Sequence, residues 1–230
     1  ISRAYFKLIE LLRTAAVHPP LTSLHLCEAP GGFAQAVLTE FSSTKTVSVM
    51  SRRIGGAPHI STKLLHNSRV NVLRLDTICD LTDVTTRDAI VKEVVQRVDL
   101  ITADGAFDND SHPELVENTS AHLIACEIET ALRTQKEGGT FILKVFSFTR
   151  PITKQLVAVL TAAYKTVSIA KPRTSRAVND ERYIICQGFC QKHAPPFRVP
   201  PHKANNTAPL YLDSVAVVDS EWLRATDTIS

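Results

Sequence analysis

No run of ~18 apolar residues occurs in this 230-residue chain, so no segment has the length and character of a membrane-spanning helix. Cysteine is sparse and unpatterned. Cys27, Cys79, Cys126, Cys186 and Cys190 form an odd set without framework spacing. That speaks against a disulfide scaffold and for free thiols in a reducing compartment, cytoplasm or nucleus. No signal-peptide pattern, repeat or low-complexity tract is present. Charge of one sign is not in excess. The net charge is +3, so nucleic-acid binding would have to come from a local patch. No initiator methionine precedes Ile1, and the chain is expected to be a piece of a longer polypeptide. What is present is ordinary globular composition, 44% hydrophobic and 21% charged. The length suits one domain, with or without an extension, and can bury a core without disulfide or metal staples.

Hydrophobic periodicity divides the chain into alternating elements. Tyr5, Leu8, Ile9 and Leu12 mark a first helix. "LTSLHLC" reads as a strand, with a helix over Phe33 to Phe41 after it. "TVSVM", "VNVLRL", "VDLITAD" and "TFILKVF" read as strands two to five. Thr85 with Asp88 resembles a capping box before a helix over Ile90, Val94 and Val98. A long helix over Ala121 to Leu132 is expected to end at Gly138-Gly139. A helix over Ile152 to Ala163 and two closing strands, "TVSIA" and "RYIICQGF", complete the set. Strands alternating with helices predict an α/β fold with a mostly parallel sheet, whose ligands bind outside the carboxyl ends of the strands. Residues 1–190 read as that domain. Residues 191–230, proline-rich and polar, read as an extension over its surface or the start of a linker.

The first strand runs into "CEAPGGF", an acid, a proline and two glycines ahead of a helix. A glycine pair there lets the backbone approach a ligand, and the helix start offers N–H groups and a positive dipole end. G-x-G-x-x-G is missing, and no lysine follows as in a phosphate loop, so neither a dinucleotide fingerprint nor a Walker motif is present. Taken alone, the stretch suits an ordinary βα turn equally well. Lys144 is more informative. It lies within the apolar run "TFILKVF", where a lysine is costly unless paired. Asp104 ends strand four and Glu181 precedes the last strand, places that face one ligand edge.

Five motifs together, "SRAYFKL", "CEAPGGF", "DLITADGAFD", "GGTFILKVF" and "KPRTSRAVNDERYIIC", span Ile1 to Phe189 in order. In this they resemble the FtsJ-like ribose 2′-O-methyltransferases. "LCEAPGGF" and "TADGAFD" are most similar to the mRNA cap enzymes of that family, cellular or viral. The resemblance implies a Rossmann-like methyltransferase fold with a seven-stranded sheet, S-adenosylmethionine as cofactor, capped mRNA as substrate and no metal. It leaves room for an activating protein partner and for a viral polyprotein origin, with the host cytoplasm as location. It carries a Lys-Asp-Lys-Glu tetrad onto Lys7, Asp104, Lys144 and Glu181. Lys144 would activate the ribose hydroxyl, Lys7 would orient the ribose and Glu181 would orient both lysines. An ordinary lysine, with a pKa of ~10.4, is neutral in only about one copy in 2,500 at pH 7. Burial, the sulfonium and Lys7 are expected to push Lys144 down, with Asp104 and Glu181 opposing.

The same resemblance implies cofactor contacts from Glu28, Pro30, Gly31, Gly32 and Phe33, from Asp76 near the adenine, and from Asp104. The acid common at the end of strand two is replaced by Met50-Ser51-Arg52, which leaves Ser51 as its substitute. RNA phosphates are expected at Arg52, Arg53, Lys171, Arg173, Ser175 and Arg176. Aromatic candidates for stacking on a cap are Tyr5, Phe107, Phe146, Phe148 and Tyr164. The rival readings are methylation of ribosomal or transfer RNA, and a non-catalytic module of the same fold that binds RNA or a partner.

Overall fold

The computed structural model describes residues 2–51, 59–105, 116–146, 151–176 and 180–199. Arg52, Arg53, Phe107 and Phe148 lie outside these, as does the chain from residue 200 on. The strands are β1 (Thr22–Leu26), β2 (Thr46–Val49), β3 (Val70–Val72), β4 (Val98–Ala103), β5 (Gln135–Val145), β6 (Tyr164–Ala170) and β7 (Arg182–Phe189). The helices are α1 (Ala4–Thr14), α2 (Gly32–Glu40), α3 (Thr62–Leu65), α4 (Val84–Glu93), α5 (Val116–Thr134) and α6 (Pro151–Ala163). The seven strands form one sheet in the order β3-β2-β1-β4-β5-β7-β6. All described pairings are parallel except those of β7, which runs antiparallel to both neighbours.

Period-two alternation divides the core between the two faces of the sheet. Leu100, Ile142, Tyr183 and Ile185 pack with Leu8, Leu11 and Leu12 of α1 and Phe33 and Val37 of α2. Ile101, Ala103, Phe141, Leu143, Ile184 and Cys186 pack with the helices of the other face, including Ile128 of α5 and Leu160 of α6. Buried polar side chains of β1 and β4 pair with one another. Ser23 Oγ and Thr102 Oγ1 lie 3.0 and 2.7 Å from the two ring nitrogens of His25. Burial lowers that imidazole to about 3, so it is neutral.

Three local expectations change. The capping residue of α4 is Asp83, whose carboxylate accepts from Thr85 N at 2.9 Å, because Asp83 has the extended backbone that a helix cap requires. α5 ends at Thr134, ahead of Gly138-Gly139, and β5 begins at once. Gln135 Nε2 donates to the carbonyls of Val98 and Asp99, and a register shift between Val98 and Leu100 absorbs the glycine-containing stretch as a bulge in β5. β3 is shorter than "VNVLRL", so Asp76 lies beyond the strand, exposed.

Residues 191–199 pack on the α4–α5 face, with Phe197 and Val199 buried in the core. Arg87 and Glu129, fully buried, hold this segment. Arg87 Nε donates to Glu129 Oε2 at 3.1 Å and Nη2 to Val199 O at 3.2 Å, while Val199 N donates to Glu129 Oε2 at 3.0 Å. Removing one member of such a pair leaves an uncompensated buried charge. Glu129→Leu is expected to lower the unfolding free energy by about 3–5 kcal/mol, read from denaturant midpoints.

Candidate active site

The site grows from the carboxyl ends of β1, β4 and β5 and the amino end of β7. Because β7 is antiparallel, the start of that strand reaches the edge where the parallel strands finish. Lys144 stands opposite Tyr183 in the β5–β7 register, which brings Asp104, Lys144, Glu181 and Tyr183 together. α1 supplies Lys7 from above.

The described side chains are joined in two ion pairs. Lys144 Nζ donates to Asp104 O at 2.7 Å and lies 3.1 Å from Asp104 Oδ1. Lys7 Nζ lies 2.5 Å from Glu181 Oε1, which also accepts from Ser175 Oγ at 2.7 Å. Lys144 is 7% exposed and Glu181 5%, so these charges lie largely out of water and depend on each other. Tyr183 OH donates to Asp104 Oδ1 at 3.1 Å, and the Lys144 ammonium sits 5.7 Å from the centre of the Phe146 ring.

Burial is expected to push Lys144 down, with Asp104 and Glu181 opposing. Burial acts in that direction. The charge and hydrogen bond of Asp104, with Glu127 and Glu181, outweigh it and hold the lysine above its ordinary value, as an ammonium. Burial likewise raises Glu181, yet the bonds from Lys7 and Ser175 and the positive charges of Lys7 and Lys144 bring its net position below the usual carboxylate range.

The "CEAPGGF" turn is shaped by the chain's own packing. Gly31 has φ +115°, and a Cβ there would run into the Leu64 side chain. A Cβ at Gly32 would meet Ser2 Oγ and, at 2.9 Å, the backbone N of Tyr5. Gly32 therefore lets α1 close on the start of α2, which carries Lys7 to the edge, and Gly31 lets Leu64 of α3 lie against the turn. The helix start is not an open anion site. Glu28 Oε1 accepts from Ala34 N at 2.9 Å. Phe33 is 1% exposed and its ring packs 6.1 Å from Tyr183, so its side chain belongs to the core.

The remaining candidates fall as follows. Ser51 follows Met50, whose carbonyl accepts from Glu28 N at 2.9 Å, so it lies at the rim of the turn. Lys171, Arg173 and Arg176 are exposed on the loop between β6 and β7. Glu10 of α1 holds that loop, accepting from Arg173 N at 2.8 Å. The Ser175 hydroxyl is directed to Glu181, which makes it a support for that carboxylate. Tyr164 is buried against Phe189, 5.2 Å between ring centres, and does not offer a stacking face. Phe6, which the sequence does not single out, is 59% exposed beside Tyr5 on α1. Sequence reasoning assigned no role to two further site residues. Tyr183 is two positions past Glu181, within the motif that supplies that acid. Glu127, fully buried, interrupts the apolar stripe of α5 at the spacing of Ile124 and Ala131, the signal that could have found it.

The edge suits S-adenosylmethionine by its donor set. The cofactor's ammonium, ribose hydroxyls and adenine amino group seek acceptors, and Asp104, Ser51 and Asp76 are oxygen-bearing residues that follow β4, β2 and β3. Among the described residues no group of His, Cys, Asp and Glu could hold a metal.

Residues 1–189 match the family described as FtsJ-like methyltransferase. The chain is 30% identical over 214 residues to cap-specific mRNA (nucleoside-2′-O-)-methyltransferase 2 of Drosophila melanogaster, covering 84% of this chain and 30% of that protein. It is 30% identical over 213 residues to the protein of that name from Danio rerio, covering 83% of this chain and 28% of the relative. The chain thus spans about a third of the length of these curated relatives. In three dimensions it is similar to a Plasmodium falciparum protein described as a ribosomal RNA methyltransferase. The TM-score is 0.57 at 22% identity, over 82% of this chain and 97% of that one, a likeness of fold.

Burial raises Glu28 to about 8, against the opposing bond from Ala34 N. An acid raised on folding contributes stability that is full below its unfolded value, near 4.5, and is lost as pH rises toward 8. Glu28→Gln, which keeps an oxygen for Ala34 N, is expected to remove ~1.4 kcal/mol per pH unit from the slope of stability over that window. Denaturant titrations at pH 5, 6, 7 and 8 would detect it, and an unchanged slope would refute it.

Proposed function

Because the chain belongs to the FtsJ-like methyltransferase family, we propose that it methylates the ribose 2′-hydroxyl of RNA with S-adenosylmethionine, acting on the first or second transcribed nucleotide of capped mRNA. One observation carries the reading: four side chains from α1, β4, β5 and β7, Lys7, Asp104, Lys144 and Glu181, meet at one sheet edge as two ion pairs. The cap-specific names of the two relatives, each about 30% identical over most of the chain, support the substrate.

When bound, S-adenosylmethionine supplies an activated methyl group and a positive sulfonium. The protein's share is positioning and proton handling. Asp104 engages two N–H groups of Lys144, one with its carbonyl and one with its carboxylate, which leaves the third for the ribose oxygen among the described contacts. The ammonium first gives one proton to solvent; the amine then holds that oxygen in line for attack and takes the 2′-hydroxyl proton. Glu181 fixes Lys7 so that its ammonium reaches the ribose from the α1 side. Exposed Lys171, Arg173 and Arg176 lie on the loop that leads into Glu181 and suit phosphates. Arg52, Arg53, Glu28, Gly31, Ser51 and Asp76 keep the RNA and cofactor roles that the family resemblance implies.

The test is transfer of a labelled methyl group to matched uncapped, cap-0 and cap-1 RNAs, with nuclease mapping of the label. Label on the ribose of the first or second nucleotide, and only on capped RNA, is expected. Label on uncapped RNA would move the substrate to ribosomal or transfer RNA. No label on any of them, with cofactor binding intact, would point to a non-catalytic module or a missing partner. Lys144→Ala is expected to lower kcat by about 10²–10⁴-fold with cofactor binding retained. Lys144→Arg, which keeps the charge but cannot release a proton, is expected to lose as much. An active Lys144→Arg would sink the proton-accepting role.

A further inference from the structure

Glu127 has no part in the tetrad, yet it sits directly behind it. Its Oε1 accepts from Gly105 N at 3.1 Å, and the carboxyl group is fully buried beside the Cys27 thiol. Gly105 N and Asp104 O belong to one peptide unit. Lys144 Nζ donates to that oxygen at 2.7 Å, so this single peptide is gripped by Lys144 on one side and by Glu127 on the other. The fit is close. A Cβ at Gly105 would collide with Glu127 Oε1, with Leu123 Cδ2 at 2.8 Å and approach Cys27 Sγ at 3.2 Å. We propose that Glu127 is a positioning residue for Lys144, acting through the Asp104–Gly105 peptide, and that its ionisation sets how firmly the Lys144 ammonium is held.

The direction follows from charge. Among the described residues, the titratable groups facing Glu127 are Cys27 at the end of β1, Asp104 at the end of β4 and Lys144 on β5, with Cys126 next to it on α5. Burial raises Glu127 to about 8, with Lys144 and the Gly105 N–H opposing. Below that pH it is a neutral acid whose carbonyl oxygen still accepts from Gly105. Above it, the carboxylate pulls harder on the peptide N–H, polarises the carbonyl that binds Lys144 and adds its own attraction to the ammonium. Deprotonation of Lys144 is thereby opposed at alkaline pH.

The lysine role rests on the methyltransfer reading above, so the test includes a measurement that does not need catalysis. In protein labelled with ¹³Cε-lysine, the Lys144 signal, assigned by its loss in Lys144→Arg, is expected to show a step near pH 8. Glu127→Gln is expected to abolish that step. The same step in the Gln variant, or none in the wild type, would overturn the coupling. In methyl transfer, Glu127→Leu is expected to lower kcat about tenfold with KM for cofactor and RNA unmoved, a loss equivalent to ~1.4 kcal/mol. Glu127→Gln, which keeps an acceptor for Gly105, should restore most of it and raise the alkaline limb of the pH profile. A Leu variant with wild-type kcat would overturn the positioning role. Where that variant does not fold, the Gln profile and the Lys144 signal decide. A wild type that methylates no RNA would sink the functional reading alone, since the Lys144 signal still tests the coupling.

Discussion

A lysine ammonium almost shut off from water is the constraint around which this edge is arranged. Lys144 lies on a central strand where an unpaired charge would be prohibitively costly, so the surrounding chain has to supply compensation from several directions. Asp104 gives a carbonyl and a carboxylate oxygen, Tyr183 fixes the carboxylate, and Phe146 offers a ring face. Each of these comes from a different part of the fold. If the β4–β5–β7 register slipped by one residue, the contacts of Asp104 and Tyr183 would be lost.

The second pair depends on the first helix. α1 carries Lys7 to Glu181 only because it closes on the start of α2, and that approach needs the missing side chain at Gly32. Glu10 of the same helix holds the basic loop between β6 and β7, and Ser175 on that loop returns to Glu181. A turn that reads in sequence as a ligand cradle is thus also the hinge pin of α1. Glycine turn, lysine helix and basic loop form one connected unit, so disturbance at any of them should reach Glu181.

Buried acids with raised pKa values flank the site. Glu28 caps α2, and Glu127 backs the Asp104–Gly105 peptide. Both are held near 8 by burial and are neutral at physiological pH. Lys144 and Glu181 are shifted toward their charged forms by their partners. Charge is retained where pairs form and suppressed where a lone acid supports backbone, a division set by how many partners each group has.

The alternation of strands and helices in the amino-acid sequence specifies a mostly parallel sheet, because period two and period 3.6 leave distinct marks on an apolar pattern. The cost of a lysine inside "TFILKVF" singles out Lys144, and the five ordered motifs bring Lys7, Asp104 and Glu181 with it. Local chemistry near glycine and short polar residues is less legible: Asp83 in place of Thr85 as the helix cap, and Gly138-Gly139 in a bulge. There the outcome depends on neighbours distant in sequence. Only the tertiary structure decided that β7 runs antiparallel and so presents Glu181 and Tyr183 to the edge where β4 and β5 end. Only it decided that Asp104 keeps Lys144 charged, that Ser175 serves Glu181, and that Glu127 stands behind the Asp104–Gly105 peptide. The sequence by itself singled out Lys7, Asp104, Lys144 and Glu181, since burial costs and motif order are properties of the chain. Their protonation and pairing are set by distances of a few ångströms between elements far apart in sequence, and those exist only once the sheet has formed.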